Sequence, residues 1–316
     1  MLSYIIKRTL TAVLLSVAVA SIVFLALFLV PGDPAEVLLS TGGVEPPAEA
    51  VRALRVELGL DQPVLWQYFS FLGDLLKGDL GQSFSNGEAV LSTILVRLPR
   101  TLELIFAATV VSLIVGIPSG MIAAMRQGET IDRVLSFAAS IAMSLPIFVI
   151  GTAMVYVFAQ KFRLVPAGGY VAFSQDPAQH LLLLLMPAIA ISIGFSATIF
   201  RMSRATVAAV LTKDWVRTAR SKGISERQVM IWHIVRNALG PVATVVGLQM
   251  GNLLGGSVLV EYVFNWPGLS GYLVTAIENR DYPGVRGTVL IVATLFILIN
   301  LVVDMIYMIL DPRVRS

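Results

Sequence analysis

The chain is 316 residues long, 56% hydrophobic and 14% charged, with a net charge of +3, no cysteine and two histidines. An ordinary soluble domain carries about 25% charged residues, so a mean hydropathy of +0.82 with long uncharged runs describes a polytopic membrane protein, not a soluble enzyme, secreted domain or disordered chain. The lack of cysteine removes disulfide frameworks, thiolate zinc sites and cysteine nucleophiles, two histidines cannot build a three-His metal site, and so even a charge balance gives no case for nucleic-acid binding.

A hydrocarbon layer about 30 Å thick takes roughly 20 helical residues. Six uncharged runs fit it: 9–32, 104–125, 134–160, 177–200, 237–260 and 287–303, the last continuing past Asp304 to Leu310. None alternates as a barrel strand would, so the expectation is an all-α integral membrane fold with six transmembrane helices. The first run follows Lys7-Arg8 and contains Ala18-Val19-Ala20, a cleavable-leader pattern, but stays apolar through Val30 and so reads as an uncleaved anchor. Residues 1–32 then form the N-terminus and first span, 33–100 a large extracytoplasmic loop, and 101–316 a core of five spans carrying a cytoplasmic loop at 201–240.

Within the first loop, Pro31-Gly32-Asp33-Pro34 ends the opening helix. Pro46-Pro47 starts a short helix over 48–58 closed by Gly59, and Pro63 starts another in which Leu65, Phe69, Leu72 and Leu76 line one face. That face is expected to rest on the chain's own spans, with lipid headgroups or a partner as alternatives. Pro118, Pro146 and Pro187 fall inside spans and are expected to bend them.

The 201–241 segment can be read cap by cap. Asp214 is placed as the N-cap of a helix over 215–222 that ends on basic Arg220 and Lys222, with Gly223 at the left-handed position beyond it. Ser225 and Gln228 form a Ser-x-x-Gln capping box for a second helix running to about Leu239. Ile224, Val229, Ile231, Trp232, Ile234 and Val235 are too apolar for a solvated loop, while Arg217, Arg220, Lys222, Glu226 and Arg227 provide a polar rim. The residues alone leave two readings open, a plug for another protein's groove or a helix in the headgroup layer.

Lys and Arg decide orientation. Fourteen fall on the side holding both termini, 126–133 and 201–236, and nine on the other, five of those in the long first loop. Both termini are therefore expected in the cytoplasm. In the fifth span Gly247, Gly251, Gly255, Gly256 and Ser257 suit close helix packing, Gln249 and Asn252 are the polar candidates for a pathway, and Asp304 is the one acid well inside an apolar run. Asp304 reads first as a structural partner for a basic residue and second as a gating group.

Arg217-Thr218-Ala219, Gly223, Arg236-Asn237-Ala238-Leu239 and Pro241 resemble the EAA loop of ABC importer permeases. Arg217, Thr218 and His233 depart from the general family pattern, and the peptide and nickel importer branch absorbs those departures. Pro31-Gly32-Asp33-Pro34, Glu57-Leu58-Gly59-Leu60-Asp61-Gln62-Pro63, Gly78-Asp79-Leu80-Gly81, Trp266-Pro267-Gly268-Leu269 and Arg280-Asp281-Tyr282-Pro283 extend the resemblance along nearly the whole chain. It implies a type I ABC importer permease in a bacterial inner membrane, similar to the first permease subunit of dipeptide, oligopeptide, nickel or glutathione importers. A second homologous permease, two ATP-binding subunits holding ATP and magnesium, and an extracytoplasmic substrate-binding protein would be its partners, besides membrane lipid. Asp214, Arg217, Ala219, Arg220, Lys222, Gly223 and Ser225 would couple to the ATPase. No Gly-Lys dipeptide occurs, so the chain has no phosphate-cradling loop of its own, binds no cofactor by this reading and is not an enzyme. A self-sufficient secondary carrier is the rival from another class, disfavoured because no inverted repeat and no chain of buried acids is visible.

Overall fold

A computed structural model describes residues 2–29, 33–39 and 46–310. Pro31-Gly32 and the side chains of His233 and Asp304 lie outside the described residues. Helices account for most of the described residues. They are α1 Leu2–Phe28, α2 Pro34–Leu39, α3 Ala48–Glu57, α4 Val64–Leu76, α5 Val90–Met125, α6 Thr130–Ser144 and α7 Ile147–Met154, then α8 Pro177–Leu211, α9 Asp214–Ser221, α10 Glu226–Gln228, α11 Arg236–Gly256, α12 Val258–Val263, α13 Leu269–Glu278 and α14 Tyr282–Leu310. π-helical turns extend α7 over Val155–Lys161 and join α10 to α11 over Val229–Val235.

Among the described residues, four segments are single helices long and apolar enough to cross a bilayer: Ile6–Ala26, Val90–Met125, Pro177–Leu211 and Tyr282–Val303. The other two expected spans are bent pairs, Thr130–Ser144 with Ile147–Lys161 at 96° and Glu226–Ala238 with Gly240–Gly256 at 47°. Leu145 explains the first. It precedes Pro146, whose ring disfavours the helical region for its neighbour, and it is extended at φ −86°, ψ 126°. The second bend adjoins Pro241, which lacks the N–H that would continue the ladder. Pro118 and Pro187, expected to bend their spans as well, lie inside α5 and α8, which run through both without a break.

The centre of the bundle is α5 against α8. Small residues let the backbones approach, which is how helices associate where lipid is as apolar as leucine. Ser112 and Ser192 are both buried there, and Ser112 Oγ lies 3.4 Å from the Ser192 carbonyl. α5 begins at Val90, so the last part of the 33–100 segment is already helix; its charges Arg97 and Arg100 lie over the rings of Tyr272 and Tyr170 at 5.4 and 4.5 Å. α4 departs from expectation too. Tyr68, Phe71, Leu72 and Leu75 pack on α1 and α14, while Leu65, Phe69 and Leu76 of the face assigned to the protein's own spans are exposed.

Candidate functional site

At one end of the bundle the chain leaves α8, turns at Thr212-Lys213 and forms the hairpin α9–Gly223–α10. Asp214 is not the N-cap. Lys213 holds the extended cap conformation and makes no side-chain capping bond, and Asp214 is the first helical residue; its exposed carboxylate acts on the positive helix end instead. At the other terminus the expected geometry is present. Gly223 has φ +75°, its N–H donates to the Arg220 carbonyl at 2.9 Å, and the Ile224 N–H donates to the Ala219 carbonyl at 3.4 Å. This is a Schellman turn, and the C″ residue Ile224 folds onto the apolar cluster below it.

Ser225 caps the second helix, its hydroxyl accepting the Gln228 N–H at 3.4 Å. Only half of the expected box forms, because the Gln228 amide oxygen accepts the Ser225 hydroxyl at 3.0 Å and does not reach back to the backbone. The helix also does not stop near Leu239. It continues through the π-helical turn and the 47° bend into α11, so the second arm of the hairpin runs directly into a span, while the first is joined to α8 by the Thr212-Lys213 turn.

Burial divides the hairpin into two faces. Val216, Ala219, Val229, Ile234 and Ala238 are buried against Ala124 of α5 and Val207 of α8. The close approach that Ala219 permits is therefore to this chain's own helices. Trp215, Ile231 and Trp232 stay exposed, the last by 65%, beside exposed Arg217, Lys222 and Arg227. Arg220 is engaged within the hairpin, its Nε 2.9 Å and Nη2 3.1 Å from the two Glu226 carboxylate oxygens. Both side chains are exposed, and such a pair contributes at most about 1 kcal/mol.

Beneath the hairpin lies a cluster that the sequence reading missed. Asp132, on the first turn of α6, is 4% exposed. Its carboxylate accepts Arg204 Nε at 2.6 Å and Nη2 at 2.7 Å, the Gly128 N–H at 2.9 Å and the Ser136 hydroxyl at 3.3 Å. The fork locks the α5–α6 turn to α8 one turn before Val207, on which the hairpin sits. Asp132 shares the charge-balanced segment 126–133 with Arg126, Glu129 and Arg133, so nothing in the sequence singles it out.

The pathway candidates lie elsewhere. Gln249 and Asn252 occupy α11 and bond to each other at 3.4 Å. Gly247 and Gly251 lie against α14, where a Cβ at 247 would overlap Val303 and one at 251 would meet the Phe296 ring at 2.8 Å; a Cβ at 255 or 256 would meet nothing within 4 Å. At the far end Glu261 is buried and takes the Thr101 hydroxyl at 2.7 Å, the Gly271 N–H at 3.0 Å and the Ser257 hydroxyl at 3.4 Å. Burial holds its pKa above the usual carboxylate value. Among the described residues no three His, Asp or Glu side chains gather as a metal site.

Residues 116–316 match the family described as binding-protein-dependent transport system inner membrane component, and residues 1–105 match its N-terminal counterpart. The chain is 37% identical over 312 residues to the "Probable peptide ABC transporter permease protein y4tP" of Sinorhizobium fredii, covering 99% of each. It is 39% identical over 315 residues to the glutathione transport system permease protein GsiC of Escherichia coli O6:H1, covering all of this chain and 99% of that one. Among solved structures it resembles the inward-facing methionine ABC transporter MetNI, with TM-score 0.57 and 18% identity over 69% of this chain and 96% of that chain.

Proposed function

The chain belongs to the family of binding-protein-dependent transport system inner membrane components, and from that premise we propose that it forms half of the translocation pathway of an ATP-driven peptide importer. The importer of this reading has a second homologous permease, two ATP-binding subunits and an extracytoplasmic binding protein. Small peptides are the cargo class favoured by the peptide and glutathione permeases among its relatives. This chain contributes no catalysis; hydrolysis takes place on the partner subunits, where ATP and magnesium bind.

The observation that carries the reading is the hairpin's division into a buried and an exposed face. Trp215, Ile231 and Trp232 supply aromatic and apolar anchors, with Arg217, Lys222 and Arg227 around them, the composition that protein interfaces favour at their energetic centres. Ala219 and Val216 join this face to the core, Gly223 and Ser225 fix its turn, and Arg220 braces it. A docking element of this kind has to be stiff. Moving a two-state gate from about 1:99 to 99:1 takes roughly 5.5 kcal/mol of differential interaction, and a loose loop would dissipate it.

Gly223 provides the test. A Cβ there meets nothing of this chain within 4 Å, so the strain of a substitution lies in its φ of +75°. Forcing an L-residue into that region costs about 1–2 kcal/mol, more for a β-branched one, while Asn tolerates it. Gly223→Val should insert and assemble but hydrolyse ATP without uptake, and Gly223→Asn should keep most uptake. Normal peptide uptake by Gly223→Val would defeat the proposal. Orientation is tested separately: Ser225→Cys, in a chain with no other cysteine, should resist an impermeant thiol reagent added to intact cells.

A further inference from the structure

α4 carries two apolar faces, of which only one is used inside the protein. Tyr68 bonds Ser21 of α1 through its hydroxyl at 2.6 Å and meets the Phe24 ring edge-on, while Phe71 stacks against Phe24 and lies under the Arg286 guanidinium at 4.7 Å. The second face is Leu65, Phe69 and Leu76, exposed by 73, 66 and 91%. At about 100° per residue these three fall within about 40° of one another, and about 140–180° from Gln67 and Asp74. Gln67 is bound to the Leu60 and Gln62 carbonyls at 3.3 and 2.8 Å. Asp74 opens with Glu57 and Asp79 onto a polar depression. The helix is polar on one side, apolar on the opposite side, and attached to the protein along the arc between.

Its depth is fixed by what it touches. α1 has no charged residue between Arg8 and Leu29, and α4 packs on it at Ala20, Ser21, Val23 and Phe24. Those positions are about 8–14 Å short of Leu29 along the helix axis. On α14 the partner is Leu290, one turn inside Arg286, the last charged residue before the apolar run. A helix about 10 Å across at this level has its lower side below the headgroups. α1 also carries bare apolar residues, among them Leu14, Ile22 and Leu25. Trp66, exposed by 60%, sits between the two surfaces where indole rings collect at membrane interfaces.

We propose that α4 is an interfacial helix, its Leu65–Phe69–Leu76 face sunk among the acyl chains of the leaflet remote from the Asp214–Val235 hairpin. It props the first loop on the bilayer and sets how far the α1–α14 edge can tilt. A water-soluble partner is excluded from this face by depth, since it would have to pass below the level of Arg286. The polar depression above α4 stays free for such a partner.

The native lack of cysteine makes the test direct. Phe69→Cys and Leu76→Cys would be labelled with bimane in the reconstituted transporter, its other subunits made cysteine-free, alongside Leu14→Cys as a lipid-facing reference and Arg52→Cys as a water-facing one. Leu65→Cys, on the same face, replaces any variant that fails to assemble. Quenching at 69 and 76 by doxyl-labelled phospholipid to the extent seen at 14, with iodide no more effective than there, is the expected result. Iodide quenching as at 52 would overturn the proposal by placing the face in water. Insensitivity to both quenchers, or protection that appears only with the binding protein present, would overturn it by placing a protein there.

Discussion

Removing Arg204 tests whether the clamp under the hairpin stabilises this end of the bundle. Arg204→Ala leaves the Asp132 carboxylate, itself 4% exposed, with only the Gly128 N–H and the Ser136 hydroxyl. Stranding one partner of a fully buried pair costs about 3–5 kcal/mol. The Arg204 side chain is 31% exposed, so water can partly replace it and two donors remain; the expected loss is about 2–3 kcal/mol. Asp132→Ala should cost about the same, because it leaves the guanidinium without its fork and frees the Gly128 turn. The double variant should then cost clearly less than the sum, with a coupling of about 2 kcal/mol, since hydrogen bonds to charged groups are worth about 1.5–3 each. Reversible unfolding in mixed micelles supplies the four free energies of the cycle. Single losses that add to within about 0.5 kcal/mol would refute the reasoning, because that is how uncoupled sites behave.

Three further outcomes follow from the same geometry. Ser225→Ala should destabilise the hairpin by about 1 kcal/mol through loss of its cap, whereas Asp214→Asn should cost no more than about 0.3–1 kcal/mol because only a charge near the helix end is lost; amide exchange of 214–228 ranks them, and the reverse order would contradict the caps described. Gly251→Leu must displace the Phe296 ring, already 2.8 Å from a Cβ there, so the overpacking cost of about 1–3 kcal/mol should part α11 from α14 and lower the thermal midpoint in detergent. Glu261 has a raised pKa when folded, so the folded state binds its proton more tightly than the unfolded chain does. Its contribution is full below the ordinary carboxylate range and is lost as pH climbs through the raised value. Glu261→Gln should flatten that fall in the midpoint, and an unchanged slope would show that the carboxylate is ionised in its site.

Membrane character, the six apolar segments and the hairpin turn were all legible in the residues, because each is a local property. Uncharged length sets a span, Gly223 sets a left-handed turn, and Ser225 caps whatever helix follows it. Asp214 shows the limit of such local reading. A cap is a matter of one residue's backbone angles, and Lys213 rather than Asp214 took the extended conformation.

Proline was only half readable. Pro146 and Pro118 have the same chemistry, but Leu145 is extended before the first, while α5 runs unbroken through the second. Which proline breaks its helix is decided by what the neighbouring helices support. The pairing of Asp132 with Arg204 joins residues 72 apart in sequence, and nothing local selects that arginine from the others. The faces of α4 and of the hairpin were visible as periodicity, but which face meets protein and which meets its surroundings depends on where α1, α8 and α14 stand. Local rules act over one helical turn, whereas burial is a property of the assembled bundle, and only the tertiary structure could assign it.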